Sequence, residues 1–496
     1  MFDDKKSEGY SHQESTVTSY RSPKGPFIRS FLTPELEPGP RAKEQIERLS
    51  GLYDIQEIAL LPDLHSKELH PFPTGMAFFT HSYIHPSVIG KRVGCGMQAI
   101  ATSLSYSDVS SEMVDSVFNT FIKKVPDVRG STVRLECHTL DDILYNGAEW
   151  ALDAFSLPGE TLYHIENNGN FLRDTHFSKR DVKKAIPSDV YSGGLKKFGC
   201  LGAIGNHFIE MQRVIDIYDA PIADMWGLKK DQIIFMVHAD SGALSPRFGK
   251  YYVGECGNLN KKQLLRKVYF HAASRRFMHL GAMWHDYFCD TSQRGIDAYS
   301  AEGRRYYCAA LAIENYCVVN RLSLANDMRR LLSRCVGDVT WRLIYDVSHE
   351  SIKEECIDGK RMWVHRSGAS CALPASAFPG DTVYSKTGQP LLMPGAMGMP
   401  SYICTTLPGV RESCYSINHG AGRYLNKAEA RGKYSDDSVK AFLEERDIKL
   451  FKVGSESMSV QAPYAYKDVD LVIEAVHRFQ LARPVLKLQP LAVIKG

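Results

Sequence analysis

The chain has no apolar run near the roughly 18 residues that a membrane-crossing helix requires, so no membrane association is expected. Its 12 cysteines include no C-x-x-C pair, which removes zinc-knuckle and thioredoxin-like readings and leaves most of them as small buried apolar side chains. Net charge is nearly absent. Sixty Lys plus Arg against 57 Asp plus Glu leave +3, which excludes a histone-like polycation but permits a local basic groove. The N-terminus, Met1-Phe2-Asp3-Asp4-Lys5-Lys6, has no apolar h-region, so no secretory signal is expected and the predicted location is cytoplasmic. No Gly/Ser- or Pro-rich linker divides the chain, and no internal repeat is visible. What remains is an ordinary globular composition, 44% apolar and 24% charged over 496 residues, which also excludes collagen-like and low-complexity chains.

Residues 1–25 are rich in Ser, Lys, Asp and Glu and read as a disordered tail. From Phe27 onward apolar density is even, so residues 26–496 are expected to form a single unit. Asp231 to Val237 reads as a buried strand ending at His238. Apolar residues at helical spacing from about Gly303 to Leu332 predict a long helix, and Ala465 to Phe479 has the same character. Between Pro374 and Ser416, Gly and Pro punctuate short apolar runs, as in strands joined by functional loops. No regular βαβα alternation appears, which favours an α+β fold, helices mixed with sheets, over a doubly wound sheet.

Four side chains sit in unusual settings: Cys95 between Gly94 and Gly96, His207 in Gly205-Asn206-His207-Phe208-Ile209-Glu210, His238 at its strand end, and His349 after Tyr345-Asp346-Val347-Ser348. Three imidazoles and a thiolate suit a divalent ion such as Mn, Zn, Co or Ni. Spacing alone leaves open the alternative of four ordinary polar residues at strand ends. In Asn418-His419-Gly420-Ala421-Gly422-Arg423 a nearly bare turn exposes N–H groups that suit phosphate oxygens, and Arg423 offers a bidentate donor. A histidine so placed suits nucleophilic attack on phosphorus. Met393-Pro394-Gly395-Ala396-Met397-Gly398 is a second small-residue loop able to approach a nucleotide.

Taken in order, these blocks resemble the RtcB-type RNA-splicing ligases from about Leu61 to about Val472. The most specific are 205–210 and 419–423, joined by Tyr316 with Asn320-Arg321, Val364-His365-Arg366, and Ala465-Tyr466-Lys467-Asp468. The resemblance implies a GTP- and Mn-dependent ligase that joins RNA 3′-phosphate or 2′,3′-cyclic phosphate ends to 5′-hydroxyl ends through a guanylylated histidine. It also implies the family's own α+β fold around a metal and nucleotide cleft. It places the nucleophile on His419 and the metal ligands on Cys95, His207, His238 and His349. GTP contacts fall on Asn206, His207, Phe208, Ile209, Glu210, His349, Glu350, Pro394, Gly395, Ala396, Met397, Ser401, Gly420, Ala421, Gly422 and Lys467. Glu210 is expected to select guanine by accepting from its N1 and N2 donors. RNA ends are the expected partner, with DNA ends and an archease-type activator left open.

Departures from the family pattern are pointed. Arg92 stands where the family has the aspartate of a second metal ion, which predicts that this second site is weak or lost. Glu350 stands for an asparagine and Ala396 for a serine, and Asp240-Ser241-Gly242 interrupts a run that normally ends in arginine. Ser367 and Cys371 replace basic residues. Two further readings follow: an enzyme that caps 3′-phosphate ends with GMP without sealing, and a non-catalytic protein that binds nucleotide or RNA ends.

Overall fold

A computed structural model describes residues 17–67, 70–124, 135–202, 206–253, 295–357, 359–454 and 456–495. Two large sheets dominate it. The eight-stranded sheet runs in the order Trp341–Ser348, Gly96–Ser105, Gln232–Ala239, Phe208–Ile217, Ala482–Lys495, Ser401–Thr406 and Pro390–Met393, with Lys449–Lys452 alongside Ala482–Lys495. Successive side chains of a strand point to opposite faces, and here both faces are covered. Ile209, Met211, Phe235 and Val237 pack with Ala309, Ile313 and Val319 of a long helix, Ala301–Val336. Phe208, Ile234 and Met236 face the other way, onto Trp226, Phe442 and Leu443.

The long helix extends a few residues beyond the predicted 303–332 at each end. The Ser300 hydroxyl accepts from Gly303 N–H at its start, and Gly337 (φ +81°) ends it. Its middle is buried on all sides, with the polar side chains there, among them Asn315, Asn320 and Arg321, hydrogen-bonded to their neighbours. No helix among the described residues is long and apolar enough to cross a membrane. The strand predicted from Asp231 starts at Gln232, because Asp231 adopts φ +66°. The helix predicted over 465–479 is Val469–Arg478, capped by the Asp468 side chain. Ahead of it, Pro463–Ala465 forms a short 3-10 turn.

The six-stranded sheet has the order Thr18–Arg21, Phe27–Ser30, Ile55–His65, Thr74–Thr80, Lys360–Ser367 and Glu350–Ile357. Residues 1–16 of the expected tail lie outside the described residues, but the remainder of that segment is not tail. Thr18–Arg21 pairs with Phe27–Ser30 through a turn closed by Gly25 N–H to the Ser22 carbonyl. All four of its side chains are exposed, so backbone hydrogen bonds rather than apolar burial hold this edge strand, and composition does not register it. The two sheets meet at one residue: the chain leaves the first sheet at Ser348 and enters the second at Glu350, with His349 between them. A two-stranded ribbon, Ala369–Cys371 with Ser416–Asn418, ends at the same place, immediately before His419.

Candidate functional site

Strand register brings the scattered candidates together. Five neighbouring strands of the large sheet alternate in direction, so the ends of some lie beside the starts of others. Ser348 pairs with Gly96, Gly96 with Ala239, His238 with Phe208 and Phe208 with Lys495. His349, Cys95, His238, His207 and Lys495 therefore line one edge, each delivered by a different strand.

Cys95 Sγ lies 3.3 Å from His207 Nε2 and 3.4 Å from His238 Nε2, and His238 Nε2 lies 3.3 Å from His349 Nε2. The ligand atoms of Cys95, His207 and His238 all fall within 4.8 Å of one another. All four residues are buried. Burial drives the three imidazoles below their ordinary range, which keeps them neutral with lone pairs available, and it pushes the Cys95 thiol up. A divalent cation offsets that last penalty by favouring the thiolate. His207 Nδ1 and His349 Nδ1 have no protein partner among the described residues. A thiolate with imidazoles is the donor set of a borderline divalent ion, and this geometry fits one.

The turn carrying Cys95 is clamped from behind. Arg321, on the long helix, makes a bidentate pair with Asp346 (2.9 and 2.6 Å) and donates to the carbonyls of Gly94 (3.0 Å) and Ala239 (3.3 Å). One guanidinium thus ties the Cys95 turn to the His238 strand. Gly94 is required there: its φ is +74°, and a Cβ would lie 2.8 Å from Cys317 Sγ. Asp240 sits behind His207, since a Cβ on Gly202 would meet Asp240 Oδ1 at 2.2 Å and His207 Nδ1 at 2.9 Å.

His419 approaches from the other side, its ring 4.9 Å from that of His349. Its Nδ1 is 2.7 Å from Oδ2 of fully buried Asp63. That bond places the proton on Nδ1 and leaves the Nε2 lone pair free. The Asp63 segment is held in turn by Lys467, whose ammonium donates to the carbonyls of Pro62 (2.9 Å), Leu64 (2.8 Å) and Leu36 (3.4 Å). Burial lowers Lys467 to about 8, opposed by Asp63. Lys467, expected among the nucleotide contacts, therefore braces the partner of His419.

The lysine beside Glu210 is Lys495, which the sequence reading missed. Lys495 Nζ donates to the Asn206 carbonyl (3.1 Å) and lies 5.1 Å from the Phe208 ring centroid. Burial raises the Glu210 carboxyl and lowers the Lys495 ammonium, each opposed by the other's charge. Glu210 Oε2 accepts from Gln212 Nε2 (2.7 Å), which also donates to Ser401 Oγ (3.0 Å), and Ser401 Oγ accepts from Gly395 N–H (3.4 Å). Glu210, Ser401 and the 394–397 loop, far apart in sequence, thus form one network. Ile209 is placed otherwise: its side chain packs with the long helix, on the face opposite Phe208.

The 419–423 loop is less bare than its sequence suggests. The N–H groups of His419 and Ala421 donate to the carbonyls of Gly368 (3.3 Å) and Pro394 (3.1 Å). Arg423 is no phosphate clamp, because its donors go to Leu425 O (2.9 Å), Tyr466 Oη (3.0 Å) and Val460 O (2.9 Å). Glu350, expected at the nucleotide, is held instead by two cations: Arg92 Nη1 at 3.2 Å and Lys67 Nζ at 3.4 Å, both on its Oε1. Arg92 lies close enough for its charge to act on Cys95, His207 and His349.

The family profile described as tRNA-splicing ligase RtcB matches residues 45–496. The chain is similar to the tRNA-splicing ligase RtcB of Thermococcus kodakarensis, with 31% identity over 91% of this chain and 89% of the relative. Its likeness to the Aeropyrum pernix protein of the same name is 29% over 91% of each. The Pyrococcus furiosus relative is 30% identical over 86% of this chain, which spans 42% of that longer protein.

Proposed function

The chain belongs to the RtcB family of tRNA-splicing ligases, and on that premise we propose that it joins RNA 3′-phosphate or 2′,3′-cyclic phosphate ends to 5′-hydroxyl ends at the expense of GTP, through a guanylylated His419, with Mn as its metal. The observation that carries this reading is the Asp63–His419 pair set against the Cys/His cluster. Asp63 keeps the proton on Nδ1, so the Nε2 lone pair is the nucleophile. In the first step Nε2 bonds to the α-phosphorus of GTP as the bond to the pyrophosphate oxygen breaks. The guanylyl group then passes to the RNA 3′-phosphate, restoring the imidazole, and the 5′-hydroxyl displaces GMP with loss of its proton.

Cys95, His207, His238 and His349 would hold the metal, which supplies positive charge against the phosphates. Arg321 keeps two of these strands in register. Glu210 receives the guanine N1 and N2 donors, Gln212 and Ser401 orient its carboxylate, and Lys495 balances its charge.

The test is incubation with α-labelled GTP and Mn, followed by end joining of a 3′-phosphate strand to a 5′-hydroxyl strand. Label on the wild-type protein, none on His419→Ala, and sealed product are the expected results. Label with GMP-capped ends but no sealed product would replace this reading with the capping one. No label would end both.

A further inference from the structure

Beside the Cys/His cluster lies a second group of charges that the reading above does not use. Glu350 is buried and sits one residue from His349. Its Oε1 takes both Arg92 and Lys67, while its Oε2 has no partner among the described residues. Backbone bonds lock the group to the cluster: Gly94 N–H donates to the Glu350 carbonyl and Cys95 N–H to the Arg92 carbonyl, each at 2.9 Å. Lys67 Nζ also donates to Ser367 Oγ at 3.4 Å. Ser367 adjoins Gly368, where a Cβ would stand 3.2 Å from His419 Cε1. The group therefore adjoins both the Cys/His cluster and the segment that touches His419. Two basic side chains share one carboxylate: burial and the Arg92 charge lower Lys67 to about 7, opposed by Glu350, and Arg92 is partly open, its side chain 26% exposed.

A divalent cation does not fit at this position. Among the described residues the carboxylate beside Arg92 is that of Glu350, which already accepts from a lysine and an arginine, and a cation held there would repel the ion. A phosphate oxyanion does fit, because ammonium and guanidinium donors held by a buried acceptor are pre-aimed at such charge. We propose that Lys67 and Arg92, fixed by Glu350, form a built-in phosphate subsite in the place of a second metal ion, so that the active site holds one divalent ion. The phosphate is either that of the RNA 3′ end or the triphosphate of the nucleotide. The assignment rests on the ligase reading for its substrates, whereas the ion count is independent of it.

Two measurements on the full chain test the proposal. After stripping and reloading with MnCl2, metal analysis and calorimetric titration should give one Mn per chain for the wild type and two for the double variant Arg92→Asp/Glu350→Asn. Two ions on the wild type would overturn it. The second measurement compares a 3′-phosphorylated RNA oligonucleotide with its 3′-hydroxyl counterpart, and Mn·GTP with Mn·guanosine, on wild type and on the triple variant Lys67→Gln/Arg92→Gln/Glu350→Gln, which removes both cations together with the carboxylate that pairs them. The wild type should prefer one phosphorylated ligand by about tenfold or more, the worth of a charge-assisted hydrogen bond, and the variant should lose that preference. The pair affected identifies which phosphate is bound, and retention of both preferences would overturn the proposal. Failure of His419 to take label would count against the ligase reading alone, since neither measurement needs turnover.

Discussion

At the scale of single residues, the site works by assigning protons and charges to particular atoms. Asp63 is fully buried and holds His419 Nδ1 at 2.7 Å, so on the proposed reading it leaves Nε2 as the nucleophilic nitrogen. Asp63→Asn should fold normally yet slow guanylylation by about 10² or more, because the amide supports the wrong tautomer. Single-turnover labelling measures this. On the same proposal Glu210 selects the base. Glu210→Gln should narrow the preference for GTP over ATP by about 10–100-fold, the ratio expected for losing a hydrogen bond worth about 1–3 kcal/mol. Competition between the two labelled nucleotides gives the number. The sequence marked His419 and Glu210 through their local context, but it pointed to Lys467 as the lysine at the nucleotide. Lys495 stood unmarked because nothing around it in the chain is unusual. Only the pairing of Ala482–Lys495 with Phe208–Ile217 sets it near Glu210.

At the scale of elements, the long helix is the keel against which the strand ends are aligned. Arg321 and Asp346 are both fully buried. Arg321→Met should cost about 3–5 kcal/mol by urea denaturation, since it leaves a carboxylate unpaired in the core. It should also weaken Mn binding, because it releases the Gly94 and Ala239 carbonyls. One turn and more earlier on the helix, Glu314 shares Lys353 with Glu166, but Lys353 is 2.5 Å from Glu166 and 3.2 Å from Glu314. Burial raises Glu314 to about 7. A carboxyl raised in the folded state favours folding below its ordinary value of 4.5 and loses that contribution as pH climbs to about 7. Glu314→Gln should therefore leave stability unchanged at low pH and raise it progressively over that window, by at most about 3 kcal/mol above it. Denaturation curves at several pH values read the trend, and a gain at pH 4 would contradict it.

At the scale of the whole molecule, an ion held by the proposed ligands would act as a staple. Its four candidate ligands come from four strands, and His349 is the crossing between the two sheets. A ligand bound only to the folded chain stabilises it by about 2.7 kcal/mol at a hundredfold excess over Kd. Removing metal should lower the thermal midpoint by a few degrees, and adding back Mn should restore it. The same addition should shift His238→Ala much less.

The sequence by itself determined the family and the side chains on offer: a histidine in a small-residue loop, a thiol and imidazoles at strand ends, and an arginine where the family has an acid. It also determined the long helix, because apolar residues recurring at helical spacing over about thirty residues mark a buried helical face. What the tertiary structure decided was convergence and partnership. Register is a property of two strands at once, so neither Cys95 nor His349 carries in its own surroundings any sign that Ser348 will lie beside Gly96. In the same way Arg423, read as a phosphate donor, became a brace once Tyr466 and Val460 were folded against it. Arg92 and Glu350 are each unexplained alone and become a pair only where the chain crosses from one sheet to the other, because buried charges are satisfied by whatever the fold sets within reach.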